Sequence, residues 1–197
     1  MKQEVLFLLL NDYADWESAF ISSALHAGLM PGSEIKYTSK VVAPTLEPVI
    51  SLGGFRTLPD YSFETMPAKY AALILVGGMS WQSPVTEQIV PIVQKTLDQG
   101  CILGAICNAS LFLGKHGFLN HVKHTSNTLP VLKQWAGENY TNEKGYMEKQ
   151  AVSDKNIVTA NGTGYLEFTR ELLMLLKADE PRKIEEHYKF NKYGFVK

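Results

Sequence analysis

The sequence predicts an α/β fold in which a mostly parallel sheet carries helices on both faces. Short, near-continuous apolar runs such as Glu4–Leu10 and Ala71–Val76 have the pattern of strands buried on both sides. These runs alternate with stretches of helical periodicity, the order that builds a parallel sheet. Three segments of chemical character, Asn11–Glu17, Gly77-Gly78 and Cys107, each follow a predicted strand. In such sheets ligands bind outside the carboxyl ends of strands.

Taken in order, Glu4–Leu10 is the first strand. Asn11–Asp15 supplies a turn in which Asp12 and Asp15 form a start resembling a capping box. The helix that follows places Trp16, Phe20, Ala24, Leu25 and Ala27 on one face and stops at Gly28 and Pro31. Glu34–Val42 reads as the second strand. Thr45–Pro67 is rich in turn residues, with a short hairpin around Gly53-Gly54 and no long helix. Ala71–Val76 is a strand closed by Gly77-Gly78. Pro84–Gln99 is a helix with Val85, Ile89, Val93 and Leu97 on one face and Gly100 after it. Cys101–Ile106 is a strand that runs into a helix from about Asn108. His121–Asn127 is extended, and Leu129–Trp135 is a short helix ended by Gly137. Gln150–Ser153 and Ile157–Ala160 flank an Asp154-Lys155-Asn156 turn. After the turn at Gly162–Gly164, Tyr165–Leu176 is a helix carrying Leu166, Leu172, Leu173 and Leu176. Pro181–Lys197 is a last amphipathic helix with Ile184, Tyr188 and Phe190 inward.

Composition bounds the function. A chain of 197 residues, 45% hydrophobic and 20% charged, is expected to form a single domain spanning 1–197. A net charge of -1 gives no electrostatic footprint for nucleic acid or an anionic membrane. No apolar run approaches the roughly 20 residues of a spanning helix, and the first residues read as a strand rather than a signal peptide. The two cysteines, Cys101 and Cys107, are poorly placed to bridge each other. Free thiols point to a reducing cytoplasm.

Cys107 sits where a predicted strand meets a helix, with Ala105 and Ala109 two residues to either side. Small residues at those positions suit the tight turn that presents a nucleophile in the serine elbow of α/β hydrolases. The helix start is expected to favour the thiolate. A free cysteine is often only a small buried apolar residue; the elbow favours a functional thiol at Cys107, whereas Cys101 reads as core. Glu17 either complements its helix's amino end or lies beside the Cys107 sulfur as a partly desolvated, protonated partner. Gly77-Gly78 is either a plain turn or a close backbone approach. In the second case the Gly78 and Asn108 amides form an oxyanion site. His124, or failing that Asn127, is placed to serve the thiol. His121 and His124 lack the further ligands a zinc site needs, so no metal is expected. The absence of a P-loop and of a complete G-x-G-x-x-G leaves no cofactor expected either.

Several segments together resemble the DJ-1/PfpI superfamily: Glu17 after the first strand, VGGM at Val76–Met79, AICNAS at Ala105–Ser110, KHTSN at Lys123–Asn127 and TANGTG at Thr159–Gly164. The resemblance covers most of the chain. It implies a flavodoxin-like three-layer sandwich, usually dimeric, with a Cys–Glu pair at the elbow and the amides of Gly78 and Asn108 beside it. Members are described as peptidases or amidases, as glyoxalase- or deglycase-like enzymes acting on small reactive carbonyls, as chaperones, or as oxidative-stress sensors. Many carry a His after a Thr-Ser or Thr-Thr pair. Here Thr125-Ser126 is followed by Asn127, which cannot act as a base.

Overall fold

The protein is described by a computed structural model covering residues 2–30 and 32–194. Its strands are β1 (Gln3–Leu8), β2 (Tyr37–Ala43), β3 (Val49–Ile50), β4 (Arg56–Thr57), β5 (Tyr61–Ser62), β6 (Ala72–Leu75), β7 (Ile102–Ile106), β8 (Ala151–Asp154) and β9 (Ile157–Ala160). Its helices are α1 (Asp15–Ala27), α2 (Ile89–Asp98), α3 (Asn108–Lys115), α4 (Leu129–Ala136), α5 (Tyr165–Leu176) and α6 (Pro181–Tyr193). Seven strands form one sheet in the order β5-β2-β1-β6-β7-β9-β8. Every neighbouring pair is parallel except β8 with β9. The small β3–β4 hairpin stands apart.

Strand alternation divides the core into two layers. From β1, Leu6 and Leu8 join Val93 of α2, Phe112 of α3 and Leu132 of α4 on one face. Val5 and Phe7 join Ile21 of α1, Phe168 of α5 and Ile184 of α6 on the other. The α/β sandwich expected from the sequence is therefore present, with three helices on each side of a mostly parallel sheet.

Several local expectations change. The Pro84–Gln99 helix is two pieces, a 3-10 stretch at Pro84–Gln88 and then α2. Pro91 accounts for the delayed start. As the third residue of α2 it lies where an N–H has no intrahelical acceptor, so its missing donor costs nothing. Asp12 and Asp15 do not cap α1: the position before the helix is Ala14, which makes no side-chain cap. Asp12 instead takes a left-handed conformation with φ 58°, and the Asp15 carboxylate accepts from the Gly53 N–H at 2.9 Å. The inward face of α1 is also rotated from the expected one. It consists of Glu17, Ile21, Ala24 and Leu25, while Trp16 is 45% exposed. On α6, Ile184 is buried but Phe190 points outward. The end of that expected helix, residues 195–197, lies outside the described residues.

Because all strands but β8 are parallel, the carboxyl ends of β1, β6, β7 and β9 share one edge. Trp81 secures it. Its indole Nε1 donates to the Val76 carbonyl at 2.8 Å, and its ring packs on Phe112 of α3. The segment carrying Gly77 and Gly78 is thus tied to the helix that follows Cys107. Trp81→Phe leaves that buried carbonyl without its donor and should lower stability by about 1–3 kcal/mol, read from urea denaturation. An unchanged midpoint would mean that Val76 finds another donor and that the anchor is dispensable.

Candidate active site

β7 ends at Ile106, and the next residue turns sharply: Cys107 has φ 58° and ψ -130°. A non-glycine residue in this region stores strain of about 1–3 kcal/mol and persists only where its surroundings hold it. Here the Cys107 N–H donates to Ala160 O at 3.0 Å, continuing the β7–β9 ladder. Its carbonyl accepts from both the Ser110 N–H and the Ser110 hydroxyl, at 3.0 and 2.6 Å. Ser110 is held in turn by Ser126, with 2.7 Å between their hydroxyl oxygens. The thiol is left at the mouth of α3.

α1 brings Glu17 to the same place. Its apolar face runs i, i+4, i+7 and i+8, and Glu17 takes the first of those inward positions with only 1% of its surface exposed. Two glycines make room for its carboxyl. A methyl group on Gly77 would overlap Glu17 Oε2, and one on Gly162 would lie 3.0 Å from Cys107 Sγ and 3.2 Å from Glu17 Oε1. Neither carboxyl oxygen completes a hydrogen bond of ordinary geometry within the described residues. Burial therefore dominates and pushes the Glu17 carboxyl up to about 7, against the weaker pull of the Cys107 thiol and the Gly77 amide.

The expectation of a lowered thiol pKa is reversed. Burial and the Glu17 carboxylate push Cys107 up to about 11, outweighing the Asn127 side chain and the Asn108 amide at the helix start. Helix α3 does favour the thiolate, but it is the smaller influence. The Glu17 carboxylate raises the thiol, while the hydrogen bond from the thiol lowers the carboxyl, so the pair resists carrying two negative charges. Its one-proton form belongs to the pair, as thiol with carboxylate or thiolate with carboxylic acid.

Gly78 follows β6 beside the start of α3, where its carbonyl accepts from Asn108 Nδ2 at 2.8 Å. Its φ is 154°, and a side chain would overlap Asp12 O, so the β6 turn packs on the Asp12–Tyr13 backbone. The Gly77 carbonyl accepts from the Ala14 N–H at 3.0 Å. In a trans peptide the following N–H, that of Gly78, points the opposite way. Asn127 occupies the remaining side: its Nδ2 lies 3.4 Å from Cys107 Sγ, and its Oδ1 accepts from the Gly162 N–H at 3.0 Å. Beyond Asn127 a groove of about 600 Å³ continues over Thr125–Pro130 and Tyr146–Gln150.

Of the residues singled out in the sequence, the structure brings together Cys107, Glu17, Gly77, Gly78, Asn108 and Asn127. His124 does not join them, which corrects its expected role at the thiol. It is fully buried, and its ring nitrogens lie 2.9 Å from Val122 O and 2.7 Å from Tyr140 Oη. His121 is exposed, and among the described residues no three His, Cys, Asp or Glu side chains converge as a metal site. Cys101 donates to Tyr70 O at 3.1 Å, away from the elbow. Two participants escaped the sequence reading, Gly162 and Trp16, whose Nε1 donates to Gly162 O at 3.1 Å. The signal for Gly162 was its place just past a strand on the edge shared with Cys107.

Comparison with known proteins bears on the family and the fold. The family model described as "DJ-1/PfpI family" matches residues 3–175. The chain is 37% identical over 194 residues to the uncharacterized protease YdeA of Bacillus subtilis, covering 98% of this chain and 93% of that one. It is 33% identical to the uncharacterized protease YoaZ of the same organism, covering 96% and 91%. Among solved structures, a thiJ/pfpI family protein from Bacillus anthracis superposes with a TM-score of 0.90 at 31% identity, covering 99% of this chain and 92% of that one. With its sandwich, its left-handed elbow cysteine and a match of this extent, the chain belongs to the DJ-1/PfpI family.

Proposed function

We propose that the protein is a cysteine-dependent enzyme acting on small reactive carbonyls, with Cys107 as nucleophile and Glu17 as its proton partner. The observation that carries this reading is the burial of the Glu17 carboxyl against the Cys107 sulfur, with an amide, Asn127, on the sulfur's other side. With a 2-oxoaldehyde, the thiolate adds to the aldehyde carbon and the new oxyanion takes the proton that Glu17 holds. The amides of Gly78 and Asn108 supply donors to that oxygen. Glu17, now a carboxylate, then carries a proton from the carbon bearing sulfur to the neighbouring carbon while the hydroxyl proton passes to the former ketone oxygen, giving a 2-hydroxy thioester. Water hydrolyses the thioester to a 2-hydroxy acid and frees the thiol. A deglycase-like action on carbonyl adducts would use the same pair.

A second reading, hydrolysis of peptides or amides, is favoured by the printed names of the two Bacillus relatives. It asks more of Glu17, which must also protonate the leaving amine. A homodimer also belongs to the proposal. Leu46, Ile50, Leu52, Phe55 and Leu58 stand exposed on and around the β3–β4 hairpin, an apolar surface suited to a second copy.

Turnover of a 2-oxoaldehyde is expected from the wild type, absent in Cys107→Ser and lowered by roughly 10²–10⁴-fold in Glu17→Gln, measured by acid production. Cleavage of model amides by the wild type without any 2-oxoaldehyde turnover would replace the first reading with the second.

Glu17 also couples stability to pH. Its pKa is about 7 in the folded protein against 4.5 for a free carboxyl, so the fold holds this proton more tightly than the unfolded chain does. The resulting contribution is full below about 4.5 and is lost as pH rises through about 7. Glu17→Gln, which stays neutral, should gain on the wild type by up to about 3 kcal/mol between pH 5 and 8, followed by urea titration at each pH. Parallel pH profiles for the two proteins would sink the assignment.

A further inference from the structure

Four hydrogen bonds run in one direction around the Cys107 sulfur. The Gly162 N–H donates to Asn127 Oδ1 at 3.0 Å. Asn127 Nδ2 donates to Cys107 Sγ at 3.4 Å and to Asn108 Oδ1 at 3.1 Å. Asn108 Nδ2 donates to Gly78 O at 2.8 Å. The oxygen and nitrogen of a side-chain amide are usually interchangeable by a flip, but not here. The chain starts at a backbone N–H, which only donates, and ends at a backbone carbonyl, which only accepts. Turning Asn127 over would set its NH₂ against the Gly162 N–H and its oxygen against Asn108 Oδ1. Turning Asn108 over would set its oxygen against Gly78 O. The polarity of the whole chain is therefore fixed, and the sulfur must face an N–H.

We propose that Asn127 is a positioning residue of this site: its carboxamide, locked between Gly162 and Asn108, gives the sulfur a hydrogen-bond donor that cannot accept a proton. The role rests on the reading of Cys107 as the reacting group. The same amide chain joins the elbow to the Gly78 turn, so the thiol and the oxyanion donor keep their separation. Its chemical consequence is a division of labour. Asn127 favours negative sulfur without taking its proton, and every proton transfer falls to Glu17. That arrangement suits addition to an aldehyde, which has no leaving group to protonate. Glu17, on α1, is the charged group acting on Cys107 among the described residues; α3 presents neutral amides, and Asn127 and Gly162 are neutral.

The test reads the thiol rather than turnover. Alkylation of Cys107 by iodoacetamide is followed across pH 6–10 by mass spectrometry in the wild type, Asn127→Asp, Asn127→Ala and Asn127→His. Cys101 in the same molecules reports any general loosening. Asn127→Asp, which removes the N–H and adds a charge, should slow Cys107 alkylation at pH 7.5 by about tenfold or more, moving its pH midpoint upward. Asn127→Ala should fall between that variant and the wild type. Asn127→His, which restores an N–H donor, should recover most of the wild-type rate. Should Asn127→Asp fail to fold, the alanine and histidine variants decide the matter by themselves. A wild-type alkylation profile in Asn127→Ala, or equal slowing in Asn127→Ala and Asn127→His, would overturn the proposal. An absence of 2-oxoaldehyde turnover in the wild type defeats the proposed reaction and leaves the alkylation profiles to judge Asn127.

Discussion

The constraint on which the site depends is that two acids share a space too dry for two negative charges. Glu17 has almost no exposed surface, and neither of its oxygens is satisfied by an ordinary hydrogen bond within the described residues. A buried carboxylate so poorly served costs free energy that only protonation or a partner can relieve. The partner is the Cys107 thiol, itself pushed up by burial and by the carboxylate. Neither group's pKa describes the site alone. What matters is that one proton can move between sulfur and oxygen while the pair's charge stays constant, so that in the proposed reaction nucleophile and acid arise together.

The fold makes this pairing structural rather than accidental. Cys107 is fixed by the register of β7 on β9, since its N–H continues that ladder to Ala160. Glu17 is fixed by the inward face of α1, whose other members Ile21, Ala24 and Leu25 are held in the core. Gly77 and Gly162 lie two residues past the ends of β6 and β9, two further strands brought to the same edge. Four separate elements therefore meet at one point, and a parallel sheet is what allows it, because each strand delivers its following residue to the same side. The strain at Cys107 is held by the ladder on one side and Ser110 on the other.

Much of this was readable in the sequence. The strands, the elbow and Tyr165–Leu176 follow from apolar runs and small residues flanking Cys107, signals that local sterics impose. The departures have separate causes. The Asp12–Asp15 cap was a local pattern overridden by distant contacts, because Asp15 is claimed by Gly53. The inward face of α1 differs from the expected one because Trp16 and Phe20 offer more apolar bulk than the true register, in which a glutamate occupies a core position. Placing an ionisable residue on the buried stripe of a helix breaks the amphipathic rule, and such breaks are expected where a chain gives up stability for chemistry. His124 failed for the opposite reason. Its proximity to the expected site in sequence was real, but one residue type beside a motif does not say which way a ring faces. Val122 and Tyr140 hold it.

The Asn127 position shows why the sequence alone left the chemistry open. A histidine there would make a second base, and an isolated asparagine in a motif reads as a loss. In the folded protein the asparagine is not idle: its oxygen is engaged by a backbone N–H and its nitrogen by sulfur and Asn108. An imidazole has two nitrogens on a rigid ring, and when neutral only one of them donates. It could not at once accept from Gly162 and donate to both the sulfur and Asn108. The amide can, and its direction is dictated by the backbone at both ends. On the proposed reading the site is understood as built around a single exchangeable proton, with Glu17 as the group that moves it, rather than as a hydrolytic triad missing a member.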